Sequence, residues 1–100
     1  MGKSIKWSHQ AENELNQAFL DLLEQTESIS ITTRVITEIF ESTFILASNP
    51  EIYELDSLKI NNAGNIRAYE KHTYRISYLI DENDIYILRV RYARKEPVKY

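Results

Sequence analysis

One hundred residues, 43% hydrophobic and 27% charged, fit a single domain (1–100), because a second would be too small to bury its own core. The absence of cysteine excludes disulfides and thiolate metal sites, and no stretch approaches the roughly 18 apolar residues of a membrane span. The net charge of −3 is unevenly split: residues 1–66 set four Lys and Arg against ten carboxylates, whereas residues 67–100 set eight against five.

That asymmetry predicts an electrostatic binding face in the last third of the chain. The start, Met1 to Trp7, lacks the apolar run of a secretory signal, and the expected setting is cytoplasmic. Ile5-Lys6-Trp7 reads as a short strand, with Ser8 as the N-cap of a helix whose apolar stripe is Ala11, Leu15, Ala18, Phe19, Leu22 and Leu23. Thr26-Glu27-Ser28 breaks it. A second helix starts near Ser30, carries Val35, Ile36, Ile39, Phe40, Thr43, Leu46 and Ala47 on one face, and stops at Ser48-Asn49-Pro50. Two such helices form a hairpin that needs a flat surface to cover.

Residues 51–64 carry little pattern beyond the possible anchors Tyr53, Leu55 and Leu58, and Asn61 to Asn65 is turn chemistry. Three strands follow, at about Ile66–Glu70, Tyr74–Ile80 and Ile85–Tyr92, which predict an antiparallel meander. The fold class is α+β: an N-terminal strand, then a helical hairpin packed on one face of a small antiparallel sheet, in the order β-α-α-β-β-β.

Hairpin parity decides which side chains share a face, since a one-residue slip turns a whole strand over. An odd loop between the last two strands sets Arg75 opposite Arg91 and Ser77 opposite Arg89. It leaves Ile76, Tyr78 and Ile80 with Tyr86, Leu88 and Val90 on the apolar side. An even loop would bury unpaired arginines under the helices, at high cost. The same logic at Lys71-His72-Thr73 puts Arg67 and Tyr69 beside Ser77 and Arg75. The expectation is an open face bearing Arg67, Tyr69, Arg75, Arg89 and Arg91. Arg75 facing Arg91 is a like-charge pair, which calls for an anionic ligand, an acidic partner or an internal carboxylate such as Glu96.

Tyr74-Arg75-Ile76-Ser77-Tyr78, the acidic turn, and Ile87-Leu88-Arg89-Val90-Arg91-Tyr92 resemble the Tyr-Arg-x-x-Tyr strand and terminal basic strand of the RelE/ParE superfamily of bacterial type II toxin–antitoxin toxins. Trp7-Ser8 leading into Ala11 is similar to the family's opening. The resemblance implies a toxin neutralised by a cognate antitoxin in a hetero-oligomer. It leaves two actions open, with translation inhibition by ribosome-dependent mRNA cleavage through the arginine-lined sheet face as the first expectation and gyrase inhibition as the alternative. RelE-type members cleave mRNA on the ribosome without a metal or cofactor; there, Arg75, Arg94 and Tyr100 would be catalytic. Arg67, Tyr69, Arg89, Arg91 and Lys95 would bind nucleic acid or a partner. The lysines that precede that strand in RelE-type members have no counterpart in Ile66-Arg67-Ala68-Tyr69-Glu70, and YoeB-like members place a histidine where this chain has Arg91-Tyr92-Ala93. ParE-type members instead poison DNA gyrase and need no catalytic set. Non-catalytic protein binding is the third possibility. His9 and His72 show no ligand spacing, so no metal site is expected.

Overall fold

The structure, a computed structural model, describes residues 2–94 and 98–100. β1 (Ser4–Trp7) leads through Ser8 into α1 (His9–Thr26). The Ser8 hydroxyl accepts the Ala11 N–H at 3.0 Å, so the cap expected from sequence is formed. α1 ends on Glu27, which adopts the left-handed conformation (φ 53°) and returns its N–H to the Leu23 carbonyl. Ser28 caps α2 (Ile29–Ser42), and a 3-10 turn, Phe44–Ala47, completes the apolar stripe read as one longer helix. No described helix is long and apolar enough to cross a membrane.

The strands β2 (Ile66–Lys71), β3 (Tyr74–Ile80) and β4 (Asp84–Tyr92) form the expected meander, and the sheet order is β1-β4-β3-β2. β1 lies parallel to β4, from Ser4 opposite Asp84 to Trp7 opposite Ile87, because the helical hairpin carries the chain across the sheet before it returns. The sheet is therefore mixed. Small side chains at Ala11 and Ala18, both buried, let α1 approach it closely. Ile76, Tyr78, Ile85, Ile87 and Val90 supply the sheet's half of the core, and Ile39 and Leu46 contribute from the helical layer.

The β3–β4 register combines both parities. Asp81 N–H donates to the Asp84 carbonyl, which leaves Glu82 and Asn83 as an even loop, and Ile80, Leu79 and Tyr78 face Ile85, Tyr86 and Ile87. A bulge between Ser77 and Tyr78 then makes Leu88 supernumerary, and Ser77 meets Arg89 while Arg75 meets Arg91. The bulge does what an odd loop would have done. Arg75 and Tyr78 stay on opposite faces, but Ile85 and Ile87, rather than Tyr86 and Leu88, are the residues buried near the turn.

The β2–β3 hairpin corrects the other parity argument. Lys71 pairs with Tyr74, leaving a two-residue turn of His72 (φ 51°) and Thr73 (φ 66°). Tyr69 consequently faces Ile76, and Arg67 faces Tyr78, so both belong to the helix side of the sheet. Tyr69 is 8% exposed, its hydroxyl lies 2.8 Å from the Ser42 hydroxyl, and its ring stacks on Tyr53 at 4.2 Å. Arg67 reaches the Tyr53 carbonyl at 2.7 Å. The even loop wins because it turns two residues with positive φ in the sense that matches strand twist.

A β-branched residue with φ of 66° is strained, and glycine adopts that geometry freely. Thr73→Gly is expected to raise unfolding stability by about 1 kcal/mol in urea titration.

Candidate functional site

The segment between α2 and β2, illegible by periodicity, builds the centre of the site. It first runs along the β2 edge: Ala68 N–H donates to the Glu54 carbonyl at 3.1 Å, and Asp56 N–H to the Ile66 carbonyl at 2.9 Å. Asn62 then closes a turn, accepting the Gly64 N–H at 2.9 Å and donating to the Ile66 carbonyl at 2.8 Å. Gly64, at φ 96°, supplies the conformation the turn requires. This path carries Asp56 across the sheet face turned away from the helices.

Asp56 is 2% exposed and is the counter-charge that the arginine pair requires. Its carboxylate accepts from Arg75 at 2.6 Å, the Ser77 hydroxyl at 2.9 Å, the Leu58 N–H at 3.0 Å and the Tyr100 hydroxyl at 2.5 Å. The chain beyond β4 returns to this point, with Tyr100 N–H donating to the Leu58 carbonyl and Ile60 N–H to the Tyr100 carbonyl. The Tyr100 ring is ringed by cations: Arg91 lies 4.7 Å, Lys59 5.3 Å and Arg89 5.7 Å from its centroid. One terminal nitrogen of Arg91 and Nε of Arg75 are buried with no hydrogen-bond partner among the described residues. Arg89 is anchored from the other side by Glu14 of α1, through its Nε and a terminal nitrogen at 3.1 and 2.9 Å.

An irregular segment and a returning tail thus cover the sheet face opposite the helical hairpin. A family model described as "ParE toxin of type II toxin-antitoxin system, parDE" matches residues 5–97. The chain belongs to the ParE toxin family. No curated protein matches the sequence significantly. Among solved structures, the chromosomal ParDE system of P. aeruginosa contains a chain similar to this one, with TM-score 0.75 at 16% identity over 92% of this chain and 97% of that one. The RelBE2 toxin–antitoxin complex of Mycobacterium tuberculosis gives TM-score 0.64 at 18% identity, covering 92% of this chain and 99% of that one. The YoeB dimer of Staphylococcus aureus gives 0.56 at 18% identity, with 92% and 98% covered. At such identities the likeness establishes the shared fold.

On this ParE-family fold the residues singled out in the sequence separate into three groups. Arg75, Arg89, Arg91 and Tyr100 come together around Asp56. Arg67 and Tyr69 lie on the other side of the sheet, and Arg94 is exposed past the end of β4, outside the hydrogen bonds of the cluster. Lys95 lies outside the described residues, as does Glu96, the carboxylate that the sequence offers for the arginines. The expected open face is in fact covered. Asp56 and Glu14 were missed, because nothing local marks either carboxylate; only the like-charge pair announced that one was needed.

Burial by itself would raise the Asp56 carboxyl, but hydrogen bonds from Tyr100, Arg75, the Leu58 amide and Ser77 outweigh it and hold it below its usual value. Burial and the bond to Asp56 push the Tyr100 hydroxyl up to about 12. A phenol of that kind keeps its proton at neutral pH and directs it at Asp56, so it is a poor base and an occupied acid.

Removing Asp56 strands Arg75 in a half-buried position, and Asp56→Ala is expected to cost about 3 kcal/mol in urea unfolding. Tyr100→Phe, which loses one hydrogen bond to a charged acceptor, should cost about 1.5 kcal/mol. Because the Asp56 carboxyl is depressed, its contribution is complete above the ordinary value of 3.8 and lost as pH falls through the folded value. The acid limb of the wild-type stability profile should therefore flatten in Asp56→Asn.

Proposed function

We propose that this chain is the toxin of a toxin–antitoxin pair and that it acts by binding a protein target, DNA gyrase, without cleaving RNA. The observation that carries this reading is the buried Asp56 carboxylate. It already engages Arg75 and Tyr100, two of the three groups that mRNA cleavage would require. A scissile phosphate brought to that place would meet a carboxylate within reach of the same guanidinium, and two anions there repel. Arg67, nearest to where RelE-type members carry lysines, points to the helix side and is bound to a backbone carbonyl. ParE-type inhibition needs none of this equipment, and the matching family is the ParE one.

A cognate antitoxin would neutralise the toxin by folding against it. The solved P. aeruginosa and M. tuberculosis relatives come from ParDE and RelBE2 systems, which supports the same pairing here. Gyrase as the target places the action in the cytoplasm.

Induction of the chain without its antitoxin separates the mechanisms. The expected result is SOS induction and filamentation with intact mRNA, together with loss of supercoiling when purified chain is added to gyrase. Rapid translation arrest with cleaved mRNA would overturn the proposal and return Arg75 and Tyr100 to catalysis. Normal growth would remove toxicity altogether. Arg75→Ala cannot decide the question alone, since it uncovers a buried carboxylate and weakens the fold.

A further inference from the structure

Among the described residues, half of β4 has no strand on its outer edge. β1 stops at Trp7, opposite Ile87, and no described strand continues beside residues 88–92. The Ala93 N–H points inward to the Thr73 carbonyl, so by alternation the amides of Val90 and Tyr92 point outward. Side chains of the N-terminal region occupy part of this edge. Ser8 donates its hydroxyl to the Leu88 carbonyl at 3.1 Å, and the Val90 N–H donates to Glu14 Oε1 at 2.9 Å. The Glu14 carboxylate thus stands where the carbonyl of a neighbouring strand would stand.

The edge opens into a groove of about 810 Å³ between α1 and the far ends of β3 and β4. Its floor is Tyr74, Val90 and Tyr92, with the two tyrosine rings 5.6 Å apart and Tyr92 37% exposed. Asp21 and Glu24 project from α1 along one wall. Asp21 accepts a hydrogen bond from Gln17, and neither carboxylate pairs with a cation among the described residues. Arg75, Arg89 and Arg91 line the groove as well: Arg75 is matched by Asp56 and Arg89 by Glu14, while Arg91 meets the Val98 carbonyl and the Tyr100 ring. Among the described residues lining the Tyr74–Tyr92 end of the groove, the charges without an ion-pair partner are the carboxylates Asp21, Glu24 and Glu70.

We infer that this groove takes an extended, basic segment of the antitoxin, which pairs with the outer edge of β4 and seats a lysine or arginine over Tyr74 and Tyr92 against Asp21 and Glu24. The inference rests on the toxin–antitoxin reading and specifies the chemistry of the contact. An incoming carbonyl replaces Glu14 on the Val90 N–H, an exchange of one hydrogen bond for another, and Glu14 remains on Arg89. Edge pairing supplies main-chain hydrogen bonds, while the aromatic floor and acidic wall select a cation. The sequence by its arginines called for an acidic partner; internal pairing of those arginines inverts that at this end of the groove.

The test uses the full chain and the product of the adjacent antitoxin gene. Asp21→Lys with Glu24→Lys should leave the fold intact, because both sites are exposed and cations suit the C-terminal half of a helix. The doubly reversed chain is expected to bind that product about tenfold or more weakly by calorimetry. The wild-type complex should also weaken with salt and protect the Tyr92 amide from hydrogen exchange. A complex of unchanged affinity in the variant, or one that leaves the Tyr92 amide exchanging as in the free chain, would overturn the inference while the toxin reading stands. Absence of any complex, with no toxicity on induction, would overturn the toxin reading and the inference with it.

Discussion

The buried carboxylate of Asp56 is the contact on which the far side of this molecule depends. Two arginines stand opposite one another across β3 and β4, and without a counter-charge they would repel. Asp56 supplies that charge in a position almost closed to water, where it is stable only because four donors satisfy it. Three of those bonds join the segment after α2 to the middle of β3 and to Tyr100 beyond β4, alongside the backbone bonds between Tyr100 and residues 58–60. Loss of that one group would loosen the hold of both loop and tail on β3.

The bulge at Leu88 has a comparable effect on the other axis of the structure. A two-residue turn sets the first three β3–β4 pairs, and if its register had continued, Arg89 and Arg91 would have turned toward the helices. One extra residue restores the separation of charged and apolar faces midway along the hairpin. Below the bulge Ile85 and Ile87 reach the core; above it Arg89 and Arg91 reach Tyr100. The fold thereby places a cationic cluster and a hydrophobic core on the same strand.

These two features change what the basic last third of the chain means. Its arginines are consumed largely within the molecule, by Asp56, Glu14 and the face of Tyr100. A site that binds phosphate by guanidinium groups needs those groups free or held by neutral partners. Here Arg75 and Arg89 are already held by carboxylates, which supports the proposed reading of a protein target. The half of β4 beside which no described strand runs, and the acidic wall next to it, then form a surface with bonding capacity to spare.

By itself the sequence determined the elements and their order, since helical stripes, strand alternation, the Ser8 cap and the turn residues are local signals. It also determined that Arg75 faces Arg91 and that a counter-charge must exist, because sterics and charge allow little else. Only the tertiary structure decided the faces of Arg67 and Tyr69, where a two-residue turn with positive φ prevailed over a parity guess. Only it decided that the counter-charge is Asp56, 19 residues from Arg75 in a stretch without periodicity. The physical reason is the same in both cases: pairing between distant groups carries no local pattern, and it appears only when the chain has closed on itself.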